Sequence, residues 1–232
     1  MASLSIHQIL YEDNHLLIVN KPAGLLVQGD ATGDITLLDL AKAYVKEKYN
    51  KPGDVYMGLP HRIDRVTSGL IILTRTSKAL SRMNEAFRNK EVEKIYWMIT
   101  DAFPDPNKGH LTHYLLKDKE KNKVKARPEP RTGYQKADLD YSLVASSGIE
   151  HLLEVKLQTG RPHQIRAQMA AAGMVIYGDR KYGSKHTMPD QSICLHARRL
   201  KFIHPVKKTE MEFIAPMPEV TPWVKFEDWN QS

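Results

Sequence analysis

Short runs and alternations of apolar residues predict a chain in which strands outnumber helices. Leu16 to Val19 is an apolar run that ends at Asn20-Lys21-Pro22-Ala23-Gly24, as expected of a strand feeding a turn. Lys21 and Gly24 are thereby placed at a strand's mouth, although the same Lys-Pro-x-Gly is also an ordinary turn. Leu70-Ile71-Ile72-Leu73 reads as a second, buried strand. Between the two the period lengthens. Leu37, Leu40, Ala41, Tyr44 and Val45 fall on one helical face, Thr36 and Asp39 are spaced as a capping box, and Pro52-Gly53 stops the helix. A second helix is expected from about Ser77 to Asn89 on a Leu80, Met83, Phe87 stripe. Its Lys78, Arg82, Arg88 and Lys90 read as a solvated face, with Arg82 or Arg88 the ones that could touch phosphate.

From Glu93 to Thr100 the period is two, so Ile95, Trp97 and Ile99 face away from Lys94, Tyr96 and Met98. Ala137, Leu139, Tyr141 and Leu143 form another such face. Ser146-Ser147-Gly148 turns the chain, and His151, Leu153, Val155 and Leu157 return it as an antiparallel hairpin. Between Pro104 and Pro130 the pattern dissolves into a lysine-dense run, Lys117 to Lys125, read as a solvated hairpin inserted on the domain; a basic finger on RNA is the sharper alternative. In Gly160-Arg161-Pro162-His163-Gln164-Ile165-Arg166, Pro162 suits the first helical position and Gly173 the end. Arg166 then lies near a helix N-terminus, where the dipole gives its charge nothing and an anion must offset it. Asp64 is one candidate for that anion, and an ordinary surface arginine is the alternative.

The 232 residues, 41% hydrophobic and 26% charged, suit an ordinary globular protein able to bury a substantial core. An excess of 34 Lys and Arg over 27 Asp and Glu favours an anionic partner, nucleic acid being the commonest. Cys194 is the only cysteine, which excludes a disulfide framework and a thiolate metal cluster and fits a reducing compartment. His61, His163, His196 and His204 show no i,i+4 pair or Cys partner, so no metal site is expected. No apolar run reaches transmembrane length and no signal-peptide pattern is present, so the expected location is cytoplasmic.

The chemistry concentrates in His61-Arg62-Ile63-Asp64-Arg65-Val66-Thr67-Ser68-Gly69-Leu70. One acid, Asp64, stands between two guanidinium groups in sequence, and nearby positive charge favours its ionised form. An anion suits a nucleophile or a base rather than a proton donor. This stretch resembles the active-site signature of the RluA family of pseudouridine synthases, His-Arg-Leu-Asp-x-x-Thr-Ser-Gly, with Ile63 where the family usually has Leu. Three further elements resemble that family in order. They are the Lys21-Pro22-x-Gly24 turn, Glu93-Lys94-Ile95-Tyr96, and Gly160-Arg161-Pro162-His163-Gln164-Ile165-Arg166, in which Pro162 replaces the usual Thr or Ser. The likeness continues through Gly178-Asp179-Arg180-Lys181-Tyr182-Gly183, Leu195-His196-Ala197 and Phe202-Ile203-His204-Pro205, from about Tyr11 to Pro216.

The resemblance implies an α+β fold, a mixed and mostly antiparallel curved sheet with helices and loops around a central catalytic cleft. It also implies a single catalytic domain over residues 1–232, without a separate N-terminal RNA-binding domain. The implied activity is isomerisation of uridines in structured ribosomal or transfer RNA, with base flipping and no cofactor. By resemblance Asp64 is the catalytic acid, Tyr96 stacks on the base and relays a proton, and Arg166 pairs with Asp64. Arg62 inserts where the base departed, Arg65 touches backbone, His61 orients the loop and Leu195 walls the base. DNA and membrane partners are not expected, and nothing points to an obligate dimer. The competing classes are an RNA-binding or RNA-folding protein, which has no use for Asp64, Tyr96 and Arg166 together, and a glycoside hydrolase, which needs a second marked acid.

Overall fold

A computed structural model of the chain describes residues 8–30 and 32–230. The first residues, to which the expectation of no signal peptide applies, lie outside the described set. The chain divides into two units, Met1–Glu93 with Arg199–Ala215, and Lys94–Arg198 with Pro216–Ser232.

The first unit is built on the apolar runs. Strands β1 (Ile9–Glu12), β2 (Leu16–Lys21) and β3 (Ser68–Thr74) pair antiparallel in that order, with Leu16 facing Thr74 and Lys21 facing Gly69. Every residue of β3 is buried, as its unbroken apolar run predicts. Helix α1 (Leu37–Lys48) starts where Thr36 accepts the Asp39 N–H and the Asp39 carboxylate accepts the Thr36 N–H. Helix α2 (Ser77–Arg88) is capped by Thr76 and buries Ala79 and Met83. Its Arg82 donates to the Pro205 carbonyl at 2.9 Å, so one of the two phosphate candidates is engaged within its own unit.

The second unit holds β4 (Glu93–Thr100) from Lys94 on, β5 (Lys108–Asp118), β6 (Lys123–Arg127), β7 (Gln135–Ser147) and β8 (Glu150–Leu157), ordered β4-β8-β7-β5-β6 and antiparallel throughout. Strand β9 (Leu195–Ile203) gives its first four residues to this unit and the rest to the first, where β10 (Glu210–Ile214) pairs with it. The mostly antiparallel α+β architecture expected from the sequence is the one observed. No helix among the described residues is long and apolar enough to cross a membrane.

Three local expectations change. The lysine-dense run is the hairpin expected, β5 pairing with β6 from Tyr114 opposite Arg127 to Asp118 opposite Lys123, but it belongs to the sheet and is not an insertion on it, because β5 also pairs with β7 from Lys108 opposite Ser142 to Leu115 opposite Gln135. Leu115 and Val124, the latter set between two lysines in the sequence, pack with Ala126 against Ala167 and Ala170, so two buried residues anchor a strand pair that composition alone reads as solvated. Strand β4 is buried on both faces from Ile95 to Thr100, so period two there does not separate core from solvent. Trp97, the bulky departure from the family pattern, carries the Arg198 guanidinium 4.3 Å above its ring, and Arg198 also donates to Asn230. Finally, α3 spans Gln164–Ala171 and not from Pro162, because His163 adopts a left-handed conformation, φ 48°, that helix geometry excludes.

Candidate active site

In the first unit the loop bearing Asp64 is clamped by the turn after β2. The Lys21 ammonium is fully buried, and its three donors go to the carbonyls of Pro22 (2.8 Å), Leu25 (2.8 Å) and Arg65 (3.2 Å). The Arg65 carbonyl also accepts the Gly24 N–H at 2.8 Å, and the Arg65 Nε donates back to the Gly24 carbonyl at 2.9 Å. Gly24 sits at φ 85°, a conformation that glycine adopts without the penalty a Cβ imposes. Asp64 closes the loop through its own carbonyl, which accepts the Thr67 N–H. The fragment Asn20 to Gly24, an ordinary turn by sequence, is therefore the support on which the Asp64 loop rests.

Burial pushes the Lys21 ammonium down to about 7, Asp64 pulls it back up and Arg65 lowers it further. Lys21 is thus a cation within electrostatic reach of Asp64 in this unit. Arg65 donates to the Gly24 carbonyl and forms a half-exposed pair with Asp34 at 2.8 Å, worth little by itself. Arg62 is exposed. His61 accepts the Ile72 N–H at 2.9 Å and stacks on Phe87, centroids 4.7 Å apart, which ties the start of the loop to β3 and α2.

In the second unit Tyr96 lies in β4 opposite Val155 and is 8% exposed, and Leu195, at the start of β9, is 4% exposed. Arg166, in the first turn of α3, is buried. The carboxylate facing it in this unit is Asp179, which accepts from Nε at 2.7 Å and from Nη2 at 2.9 Å. The two side chains are 6% and 1% exposed. Breaking such a buried pair by removing one partner costs about 3 to 5 kcal/mol. The Tyr182 ring packs 5.0 Å from the guanidinium carbon, and its hydroxyl accepts the Val124 N–H and lies 3.0 Å from His163 Nδ1.

The structure therefore gathers His61, Asp64 and Arg65 on one clamped loop, and sets Arg166 among Asp179, Tyr182 and His163. From sequence alone Lys21 reads as a turn residue at a strand's mouth, and Asp179 and Tyr182 carry no assigned role. The available signal was a buried arginine in want of an acid, together with the Gly-Asp-x-x-Tyr-Gly run.

A family model described as RNA pseudouridylate synthase matches residues 15–171. The ribosomal large subunit pseudouridine synthase D of Zymomonas mobilis subsp. mobilis is 32% identical over 222 residues, which cover 91% of this chain and 69% of that protein. The ribosomal large subunit pseudouridine synthase C of Buchnera aphidicola subsp. Schizaphis graminum is 30% identical over 224 residues, covering 91% and 68%. Among solved structures, human RNA pseudouridylate synthase domain containing 4 aligns with a TM-score of 0.74 at 25% identity, over 91% of this chain and 88% of that one. Matched over most of its length and carrying the four motifs in order, the chain belongs to the RluA-type RNA pseudouridine synthases, intramolecular isomerases that convert uridine to pseudouridine.

Proposed function

We propose that this enzyme isomerises uridine in structured ribosomal RNA of the large subunit, with Asp64 as its one catalytic carboxylate and Tyr96 and Arg166 completing the site. The observation that carries the assignment is the clamped loop: the one acid of the signature sits on a segment whose backbone is held by Lys21 and Gly24. A fixed carboxylate suits a reaction in which geometry supplies much of the acceleration. The ribosomal choice rests on the names of the Zymomonas and Buchnera relatives.

In the reaction the bond from base N1 to the sugar's anomeric carbon breaks, the base turns, and carbon 5 joins the anomeric carbon. N1 gains a proton and carbon 5 loses one, so atoms and electrons balance without a redox partner. Asp64 either attacks the anomeric carbon or removes the neighbouring sugar proton to give a glycal. Arg166 holds that carboxylate ionised, and their attraction strengthens where water is excluded. Tyr96 stacks on the base and takes part in moving the proton from carbon 5, while Leu195 forms an apolar wall. Extracting the uridine from its stack costs a few kcal/mol, which contacts to phosphate offset. Arg62, exposed beside Asp64, enters the gap left by the base, with Arg65 on the backbone and His61 orienting the loop.

The test is to supply the gene, or its Asp64→Asn form, to a strain that lacks it and to map pseudouridines in total RNA after carbodiimide treatment. Sites in large-subunit RNA that appear only with the wild type are expected. New sites confined to transfer RNA would overturn the choice of substrate. Sites that appear with both forms would overturn the role of Asp64.

A further inference from the structure

Arg166 serves the proposed reaction only if its guanidinium holds one orientation, and nothing in α3 itself dictates that. The helix has eight residues, begins at a left-handed His163 and has no side-chain cap. We infer that Asp179 is a positioning residue that sets the plane of the Arg166 guanidinium and so aims its remaining donors at the reacting carboxylate. The inference rests on the proposed pairing of Arg166 with Asp64.

Four observations carry it. First, Asp179 takes Nε and Nη2 with its two oxygens, at 2.7 and 2.9 Å, and a two-point fork fixes a planar group as a single contact cannot. The outer donors, on Nη1 and the far side of Nη2, are thereby turned away from Asp179. Second, the Tyr182 ring packs against the guanidinium, and the tyrosine is itself pinned by the Val124 N–H at 2.8 Å. Third, Asp179 stands on a rigid turn. Its carbonyl accepts the N–H groups of Tyr182 and Ser184, both at 3.0 Å, while the Gly178 N–H donates to the Ser184 hydroxyl at 3.1 Å. Gly178 has φ +87°, and a Cβ there would lie 2.9 Å from both the Ser192 carbonyl oxygen and the Met188 side chain, so this turn admits no ordinary residue. Fourth, Asp179 is 1% exposed, so it touches no RNA and acts through its partner. A buried ion pair is a poor source of net stability compared with an apolar pair of similar volume, which leaves fixed geometry as its contribution.

The experiment is a double-mutant cycle on the single-turnover rate of pseudouridine formation, with total RNA from a strain lacking the gene as substrate and RNA affinity measured in parallel. Asp179→Asn is expected to lower the rate about 100-fold with RNA affinity unchanged, the scale of a misplaced catalytic contact. The combined Arg166→Met, Asp179→Asn enzyme is expected to be no slower than Arg166→Met alone, because Asp179 has nothing left to position. The combined form also removes both buried charges, so it keeps the comparison available if Asp179→Asn alone folds poorly. An Asp179→Asn enzyme at the wild-type rate, or two losses that multiply in the combined form, would overturn the inference while leaving Arg166 in place. Arg166→Met at the wild-type rate would instead sink the prior assignment of Arg166.

Discussion

Replacing Asp64 by Asn is expected to abolish pseudouridine formation, a loss of about 10⁴-fold or more in single-turnover rate, while the protein still folds and binds RNA. Asparagine matches the carboxylate in shape, but its amide oxygen is a feeble nucleophile and a feeble base, so both routes open to Asp64 close together. Folding is spared because the loop is held by backbone groups. The Asp64 carbonyl accepts the Thr67 N–H, and the Arg65 carbonyl accepts from Lys21 and Gly24. None of these contacts uses the carboxylate. The substitution also reaches Lys21: Asp64 raises the Lys21 pKa, so its neutralisation drops that value below the present figure of about 7. Measured rate and thermal midpoint therefore separate, the first collapsing and the second moving little. Turnover by the Asn enzyme at a rate close to wild type would remove Asp64 from the chemistry.

Lys21→Met acts on the same loop from the opposite side, and here stability is expected to suffer. The carbonyls of Pro22 and Leu25 lose the fully buried Lys21 donor, while that of Arg65 keeps the Gly24 N–H. The desolvation of each orphaned acceptor costs about 1 to 3 kcal/mol, partly offset by no longer burying a charge, so a net loss of about 3 kcal/mol is expected. The pH dependence has a definite sign. An unfolded lysine titrates near 10.4 whereas the folded Lys21 titrates at about 7, because burial disfavours its charge. Between those values the unfolded chain binds the extra proton, so wild-type stability rises with pH from about 7 and levels off above about 10. A neutral amine still has two N–H groups, enough for the two 2.8 Å contacts to Pro22 and Leu25. The Met form lacks this gain. Urea unfolding of both proteins across that range should show the gap between them widening as pH rises. A gap that stays constant would mean that Lys21 keeps its proton throughout.

These two residues also show what was legible in the sequence. Asp64 stood out because its neighbours form a contiguous motif, and β2, β3, α1 and α2 because their periodicity is local. Strands β5 and β6 are obscured in the sequence because Lys117 to Lys125 dominates the segment and the partners of their inward Leu115 and Val124, Ala167 and Tyr182, lie far along the chain. The burial of Lys21 could not be read, since a lysine in a turn normally faces water and only the tertiary carbonyl of Arg65 completes its tripod. Arg166 was marked as needing an acid, but its neighbour Asp179 lies beyond the end of α3, delivered by a backbone turn at Gly178 rather than by any side-chain period. The start of α3 was misplaced for a similar reason: Pro162 is a good first helical residue, and the left-handed His163 that displaces it has no sequence mark.

The single cysteine offers a different use of the fold. Cys194 is fully buried, its Sγ donates to the Met188 sulfur at 3.7 Å, and its backbone bonds to Ile99 and Tyr177. Burial pushes the thiol well above its ordinary range, so thiolate, the species that reacts with alkylating reagents, is scarce in the folded protein. Native enzyme should therefore remain unlabelled by iodoacetamide over times in which urea-unfolded enzyme is labelled completely. Slow labelling of the native form then becomes a clock for transient opening of the second unit, read at one atom. The same silence makes the wild-type chain a clean background for site-specific chemistry: a cysteine introduced at the exposed Lys117 or Lys125 would carry a fluorophore or cross-linker alone, turning the β5–β6 hairpin into a probe of where RNA passes.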